Sequence, residues 1–335
     1  MNSAVERPLL ELERVRVELL LKRGPLAVVE DVSLAIGTGE AVGLVGESGS
    51  GKSMTARAVM RLLPGRSRVG GEIRFDGASV ATMSKSALRS YRGGDVAMIY
   101  QDLRVTINPL RTIGDFLCEA PRARGISRRD AAARASQLLR EVGIADGERR
   151  LLQYPHQLSG GLLQRVMIAA ALMEAPRLIL ADEPTTALDV TTQEEVMAIL
   201  DEQRRERGMA LMLITHDLDL ASAVTDRIVV MYAGVVVEVA PSRALHEIAS
   251  HPYTVGLLAA RPGSRRRRLS VIPGRPAAAY EAGPGCAFAA RCPWAQERCR
   301  ETRPELRPLD NHLVACHRAE ELRGRIVYEQ AEATP

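Results

Sequence analysis

The sequence predicts an α/β fold in which a mostly parallel sheet surrounds a glycine-rich, phosphate-binding loop. Residues 41–45 form an apolar run that leads into this loop, and a helical pattern follows at 53–63. Further apolar, strand-like runs at 96–100, 177–181 and 210–214 are separated by helical segments. Strands that alternate with helices in this way are typical of parallel α/β cores.

Length and composition limit the range of functions. The chain has 335 residues, of which 46% are hydrophobic, and this suits a globular protein with two domains or with one large domain and an appendage. A net charge of only +4 and an aromatic fraction of 3% argue against a nucleic-acid partner, which requires basic surfaces and stacking rings. No signal peptide or membrane-spanning segment is visible. We therefore expect a cytosolic chain that reaches a membrane only through partner chains.

The N-terminal part is expected to form a β-subdomain. Residues 9–36 alternate apolar and polar positions, and Lys22-Arg23-Gly24-Pro25 marks a turn between two strands. Residues 70–77 indicate another strand and turn. These strands precede and follow the glycine-rich loop in the chain.

The glycine-rich loop matches the P-loop pattern G-x-x-x-x-G-K-[ST]. Its residues are Gly46, Glu47, Ser48, Gly49, Ser50, Gly51, Lys52 and Ser53. Between a strand and a helix, the backbone N–H groups of such a loop converge on phosphate oxygens. Lys52 is expected to reach the β- and γ-phosphates, and the Ser53 hydroxyl is expected to bind Mg²⁺. We therefore predict a nucleotide site with this loop at its centre.

The segments after the P-loop extend the core. Residues 102–176 have a helical pattern and are expected to form an inserted helical subdomain. A β-hairpin is expected at 227–239, followed by a helix at 245–260.

A domain boundary is predicted at Pro262. Arginine, proline and glycine become frequent there, as in loops and linkers. We therefore expect a nucleotide-binding domain at 1–262 and a small, cysteine-containing C-terminal extension at 263–335.

Polar residues lie where predicted strands end and helices begin. The apolar run 178–181 delivers Asp182 and Glu183, which suit Mg²⁺ binding and polarisation of an attacking water, respectively. Leu158-Ser159-Gly160-Gly161 indicates a second glycine-bearing helix start. Taken singly, these features have ordinary explanations: Leu-Ser-Gly-Gly is most often a helix N-cap, and a histidine at a strand end is more often structural than catalytic.

The order of the motifs is more informative than any one of them. In sequence, the chain carries the P-loop, Gln101 at a strand end, Leu158–Gly161, the acid pair, Ala187-Leu188-Asp189 and Ile214-Thr215-His216-Asp217. This series resembles the ATP-binding cassette (ABC) family over about residues 8–260. The resemblance implies an ATPase with a P-loop NTPase core.

The resemblance also implies catalytic roles for three residues. Gln101 corresponds to the Q-loop glutamine, which senses Mg²⁺ and the γ-phosphate. Glu183 occupies the position of the residue that activates water, and His216 that of the switch histidine, which contacts the γ-phosphate. Mg²⁺ would then be held by Ser53, Gln101 and Asp182.

Four more residues correspond to positions at a subunit interface. Ser159, Gly160 and Gly161 match the signature that closes over ATP held by the opposite subunit, and Asp189 matches the D-loop. ATP is therefore expected to lie between two chains, so that its binding is coupled to their closure.

Within the family, the chain most resembles the ATPase subunits of oligopeptide and dipeptide importers. Supporting stretches are Gln101-Asp102, Asn108-Pro109-Leu110, 181–189, His251-Pro252-Tyr253-Thr254 and the tail from Gly285-Cys286. Importers of nickel or opine-type chelates share much of the core and remain alternatives, as do an exporter ATPase and a soluble cassette protein.

The resemblance to importers implies several partners. We expect a second ATP-binding subunit, a paralogue that gives a heterodimer, and two membrane-spanning permease chains. An extracytoplasmic substrate-binding protein would act indirectly. The chain would then be a peripheral protein on the cytoplasmic face of the cell membrane, with no nucleic-acid partner.

The tail carries four of the five cysteines, Cys286, Cys292, Cys299 and Cys316. Disulfides are disfavoured in a cytosolic chain. Zinc sites usually use close C-x2-4-C pairs, which are lacking, although Cys316-His317 would suit zinc; unligated thiols are a third alternative. The importers that the chain resembles carry a [4Fe-4S] cluster on this tail, so the resemblance implies an iron–sulfur cluster held by the four thiolates.

Overall fold

The computed structural model describes residues 7–102, 106–186, 188–260 and 272–328. The predicted boundary at Pro262 lies outside the described residues. The strands are β1 (Leu10–Leu21), β2 (Gly24–Ile36), β3 (Ala41–Val45), β4 (Ser67–Phe75), β5 (Ala78–Ser79), β6 (Val96–Ile99), β7 (Leu178–Asp182), β8 (Ala210–Thr215), β9 (Arg227–Tyr232), β10 (Val235–Pro241), β11 (Arg307–Leu309) and β12 (His312–Val314).

The helices are distributed between and after these strands. They are α1 (Lys52–Val59), α2 (Lys85–Ser90), α3 (Ile113–Leu117), α4 (Glu119–Ala123), α5 (Arg128–Glu141), α6 (Gly147–Leu151), α7 (Gly160–Leu172), α8 (Val190–Arg207), α9 (Leu218–Val224), α10 (Leu245–Ile248), α11 (Pro252–Ala259), α12 (Glu297–Glu301) and α13 (Ala319–Leu322). A π-helical turn lies at Tyr91–Asp95, and 3₁₀ turns lie at Pro155–Gln157 and Ala279–Glu281.

The described chain divides into two compact units. Among the described residues, the first unit consists of 7–9, 36–41, 82–102, 106–186 and 188–214, and the second of 10–35, 42–81, 215–260 and 272–328.

The first unit contains three parallel strands in the order β6-β7-β8. Ile179 of β7 is in register with Ala97 of β6 and with Leu211 of β8. Every residue of β7 and β8 is buried, as expected for parallel strands with continuous apolar sequences. Helices α3 to α7 lie in the chain between β6 and β7 and correspond to the predicted helical insertion.

The second unit has a mixed sheet in the order β5-β4-β1-β2-β10-β9-β3. Strands β1 and β4 are antiparallel, in agreement with the expected N-terminal β-subdomain, and β9 and β10 form the expected hairpin. Strand β3 is entirely buried and runs parallel to β9, with Val45 opposite Val230. This pairing fixes the point at which the P-loop leaves the sheet.

Residues 272–328, which we call the C-terminal segment, continue the second unit. Strand β12 pairs with β10 in antiparallel fashion, with Val314 opposite Glu238, and Ala315 N–H donates to the Val237 carbonyl at 2.8 Å. Phe288 packs edge-on against Tyr232, with 5.2 Å between the ring centroids. The segment therefore shares both the sheet and the core of the second unit.

The helix expected at 245–260 is instead two helices, α10 and α11. Pro252 opens α11, where its missing N–H costs nothing because the first turn has no intrahelical acceptor for it. His251 caps this helix: its Nδ1 accepts a hydrogen bond from Tyr253 N–H at 3.1 Å. Proline thus places a helix start inside what the sequence pattern suggested was one continuous helix.

Candidate functional site

The P-loop requires glycine at two positions where the chain is crowded. A Cβ at Gly46 would lie 2.1 Å from the Met231 carbonyl oxygen. At Gly51 the φ angle is +101°, and a Cβ would lie 2.7 Å from the Val28 carbonyl oxygen. Both glycines let the loop pack against backbone while α1 begins immediately after it, and a helix start of this kind favours anions.

Lys52 lies along the inner side of the P-loop. Its side chain is buried, and Nζ donates to the carbonyl oxygens of Gly46 at 2.7 Å and Glu47 at 2.9 Å and to Ser50 Oγ at 3.3 Å. Ser53 is the second residue of α1. The loop therefore combines a lysine, a hydroxyl and a helix N-terminus, the groups that a bound triphosphate requires.

Glu47 is held by Arg291, which the sequence patterns did not single out, and by Tyr253, which they noted only as part of the stretch 251–254. Its carboxylate accepts from Arg291 Nη1 at 2.6 Å and Nη2 at 3.2 Å, and its backbone N–H donates to the Tyr253 hydroxyl at 2.8 Å. These partners lie 244 and 206 positions away in the chain, so no local pattern could have revealed them. The predicted nucleotide contact of Glu47 stays a prediction, and the structure shows that its side chain anchors the loop.

The acid pair lies at the end of β7 in the first unit. Asp182 is 2% exposed and is in register with Ile214 of β8. Glu183 has a φ angle of +46°, which is strained for a residue with a side chain. Its Oε2 accepts from Gln101 Nε2 at 2.9 Å and from Thr186 Oγ1 at 2.9 Å. The structure thus brings the predicted Gln101 and Glu183 together and adds Thr186, which sequence reasoning missed.

The signature residues and Asp189 cap two neighbouring helices of the first unit. Ser159 Oγ accepts from Leu162 N–H at 3.4 Å at the start of α7, and Asp189 Oδ1 accepts from Thr192 N–H at 3.0 Å at the start of α8. Hydrogen bonds from Thr192 lower the pKa of Asp189. A Cβ at Gly161 would lie 2.7 Å from Thr192 Cγ2, so the two helix starts pack closely.

His216 follows β8 and belongs to the second unit, as does the P-loop. It is exposed, and the next residue, Asp217, caps α9 by accepting from Asp219 N–H at 2.9 Å and Leu220 N–H at 3.0 Å. The cap fixes the backbone on the C-terminal side of His216. The other predicted site residues belong to the first unit; they are Gln101, Ser159, Gly160, Gly161, Asp182, Glu183 and Asp189.

The prediction of an iron–sulfur cluster is wrong. Cys286, Cys292, Cys299 and Cys316 line one small cavity with His251, Phe288 and Trp294, yet no group of three or more His, Cys, Asp or Glu side chains among the described residues is arranged to hold a metal ion. The zinc alternative is overturned by the same finding.

The physical reason lies in the environment of the thiols. All four cysteines are free thiols. Burial raises the pKa of Cys292 to about 11 and that of Cys316 to about 12, and it also raises the pKa of Cys286. Metal ligation uses the thiolate, a form that burial disfavours at Cys286, Cys292 and Cys316. In the structure the four cysteines lie in the core as small side chains without a metal site.

The second unit has an anion-binding loop with its lysine, and the first unit has a strand-end acid pair whose glutamate is oriented by neutral donors. Each feature is typical of P-loop nucleotide hydrolases. Within the described residues, no helix combines the length and the apolar character needed to cross a bilayer.

Comparison with known proteins identifies the family of P-loop proteins to which the chain is similar. A family model described as ABC transporter matches residues 29–186, and one described as oligopeptide/dipeptide transporter, C-terminal region, matches residues 237–299. A Brucella abortus (strain 2308) protein named as a peptide import ATP-binding protein is 45% identical over 89% of this chain and 91% of its own length. The dipeptide transport ATP-binding protein DppD of Haemophilus influenzae is 41% identical over 92% of this chain and 95% of its own length.

Solved structures agree in fold. The dimeric structure of a bacterial ABC transporter cassette matches with a TM-score of 0.63 and 29% identity, over 70% of this chain and 99% of the cassette. A post-hydrolysis state of that cassette, bound to ADP and Pi, matches with a TM-score of 0.62. The chain belongs to the ABC transporter family of ATP-binding proteins. It is therefore an ABC-type ATPase, and its nucleotide is ATP.

Proposed function

We propose that the chain is the ATP-hydrolysing subunit of a membrane importer that takes up oligopeptides or dipeptides. The observation that carries this proposal is the match of residues 237–299 to the oligopeptide/dipeptide transporter C-terminal region, which goes beyond the general cassette. The names of the most similar relatives, a peptide import and a dipeptide transport ATP-binding protein, support it.

We assign Mg²⁺ binding and water activation to the side chains at the positions that membership of the ABC transporter family implies. Ser53 and Asp182 supply a hydroxyl and a carboxylate, oxygen ligands of the kind that Mg²⁺ prefers, and Gln101 supplies an amide oxygen. Bound Mg²⁺ would neutralise charge on the phosphates. Glu183 polarises the attacking water, while His216 contacts the γ-phosphate. Because Gln101 and Thr186 are neutral donors, they orient the Glu183 carboxylate without cancelling its charge.

The proposed partners follow from the exposed signature and from the relatives. Ser159 and Gly160 are exposed at the start of α7, where they are accessible to a nucleotide on another chain. The solved cassette that matches this chain is dimeric. We assign the chain a second ATP-binding subunit, a paralogue, two permease chains and an extracytoplasmic binding protein. The assembly places this chain on the cytoplasmic face of the cell membrane.

Uptake in cells lacking this chain tests the proposal. A strain without it should lose uptake of a labelled di- or oligopeptide, and the wild-type chain should restore it. Glu183→Gln should not restore uptake, whereas Glu195→Gln should, because Glu195 is an exposed residue of α8 that pairs with Arg165. Unchanged peptide uptake in the deletion strain, or loss only of nickel or opine uptake, would overturn the proposal.

A further inference from the structure

Glu47 presents an electrostatic problem for a phosphate-binding loop. It is the second residue of the P-loop, and its side chain is only 23% exposed. A carboxylate beside a polyanionic ligand repels it, and partial burial weakens the screening by solvent. Lys52 contacts the backbone carbonyl of Glu47, so a second cation is needed at the carboxylate itself.

That cation comes from the C-terminal segment. Arg291 meets the Glu47 carboxylate as a fork, at 2.6 Å and 3.2 Å, and its own side chain is 6% exposed. Two parallel N–H···O bonds to a carboxylate fix direction as well as distance. The ion pair therefore both neutralises Glu47 and sets the orientation of its side chain.

The rest of the Arg291 guanidinium is also engaged, which keeps it in place. Nε donates to the Pro273 carbonyl oxygen at 2.7 Å, Nη2 to the Ile272 carbonyl oxygen at 3.4 Å and Nη1 to the Tyr232 hydroxyl at 3.4 Å. The guanidinium carbon lies 5.7 Å and 5.8 Å from the ring centroids of Tyr232 and Phe288, within cation–π range. These contacts hold the positive charge of Arg291 beside the Glu47 carboxylate.

A second contact fixes the backbone at the same point of the loop. The Glu47 N–H donates to the Tyr253 hydroxyl at 2.8 Å, and the Tyr253 and Tyr232 rings meet edge-on with 4.7 Å between centroids. The chain has only three Phe, seven Tyr and one Trp, yet Tyr232, Tyr253 and Phe288 gather here. The side chain and the backbone of Glu47 are thus tied to one aromatic cluster.

We propose that Arg291 is a positioning residue of the ATP site, which neutralises Glu47 and thereby lets the C-terminal segment set the affinity of the P-loop for MgATP. The inference rests on the chain acting as the ATP-binding subunit, but it does not depend on the transported solute. Because coupling between two sites is reciprocal, MgATP also stabilises the docking of the C-terminal segment.

Equilibrium binding of fluorescent mant-ATP with Mg²⁺ to the full chain tests this directly. Arg291→Gln should weaken binding about tenfold, within the usual range of such couplings. The double variant Glu47→Gln/Arg291→Gln should recover most of that loss, because the repelling charge is gone. The deficit of Arg291→Gln should also shrink between about 0.1 M and about 1 M salt, over which the screening length falls from about 10 Å to about 3 Å.

Arg307→Gln is the matched control. Arg307 is also an arginine of the C-terminal segment in a two-point pair, with Glu320 at 2.6 Å and 2.7 Å, and it donates to the Cys316 carbonyl oxygen of the same segment. This variant should bind mant-ATP like the wild type. Lys52→Ala should weaken binding by about 100-fold in every background, and this result tests the ATP site itself separately from the role of Arg291.

The outcomes separate positioning from simple support of the fold. Wild-type affinity in Arg291→Gln would overturn the proposal. So would a loss that Glu47→Gln does not relieve and that salt does not reduce, since that is the signature of a loosened fold. If Arg291→Gln does not fold, Arg291→Lys replaces it, because lysine keeps the charge but not the fork. A deficit in Arg291→Lys that Glu47→Gln removes would support the proposal, and one that persists would overturn it.

Discussion

The P-loop and the end of β7 each carry a glutamate, and the two are held in opposite ways. Glu47 meets the full positive charge of a buried arginine, whereas Glu183 accepts hydrogen bonds from the neutral side chains of Gln101 and Thr186. An arginine fixes a carboxylate by countercharge as well as by hydrogen-bond direction, whereas neutral donors orient a carboxylate without supplying an opposing charge. The same residue type therefore serves as an anchor in one place and as a candidate base in the other.

Replacing Glu183 tests the second half of this contrast and should give the largest effect. Glu183→Gln should lower the ATPase rate of the assembled complex by about 10²- to 10⁴-fold, the usual contribution of a general base, while ATP binding is retained. Steady-state phosphate release together with mant-ATP binding measures both. Glu195→Gln serves as the control, and a near wild-type rate in Glu183→Gln would refute the assignment of the base.

Replacing Lys52 tests the loop in which Glu47 is anchored. Lys52→Ala should weaken MgATP binding by about 100-fold, because loss of one member of a buried charge contact commonly costs about 2–5 kcal/mol, and about 1.4 kcal/mol corresponds to tenfold. Isothermal titration of the full chain gives the value. Lys85→Ala, at the exposed first position of α2, should bind normally. Binding by Lys52→Ala at wild-type strength would contradict the site.

The last prediction concerns how the stability of the fold changes with pH. It involves α11, the helix that carries Tyr253, whose hydroxyl accepts a hydrogen bond from the Glu47 N–H. Burial lowers the pKa of His251 to about 4, and the nearby Glu238 opposes this only in part. A histidine with a lowered pKa in the folded state stabilises the fold above its unfolded pKa of about 6.5, and this contribution is lost as pH falls towards about 4. By about pH 4.5 the wild type should lose about 2–3 kcal/mol through this group.

His251→Asn separates that contribution, because asparagine can still cap α11 but does not titrate. Thermal melting at pH 7 and at about pH 4.5 should show a smaller decrease in Tm for His251→Asn than for the wild type, with about 2–4 °C expected for each kcal/mol. His246→Asn changes an exposed histidine of α10 and should behave like the wild type. Equal decreases in all three proteins would show that His251 does not titrate as expected.

Features encoded by adjacent residues were predictable from the sequence. The P-loop, the β9–β10 turn and the acid pair after β7 each depend on a short run of residues, and the structure has them in those places. The break before Pro252 was not predicted, because the apolar pattern continues across it and only the cap at His251 reveals a new helix.

Features that depend on distant residues or on environment could not be read in the same way. The contact of Arg291 with Glu47 joins residues 244 positions apart, and nothing in either local sequence points to the other. Cysteine spacing likewise shows which thiols can meet but not how they are oriented or how deeply they are buried. For that reason the cluster expected at Cys286, Cys292, Cys299 and Cys316 was wrong.

The pairing of β12 with β10 makes the C-terminal segment hard to remove. In a chain shortened to end at residue 260, the side of β10 that pairs with β12, including the Val237 carbonyl that accepts from Ala315 N–H, would become an open strand edge. The fully buried Glu238 would also lose His312, whose Nε2 lies 3.4 Å from its carboxylate. Open, apolar edges recruit strands from other molecules, so the shortened protein should aggregate, which light scattering during purification would detect. We therefore expect the C-terminal segment to keep the ATP-binding domain soluble as well, by covering this strand edge.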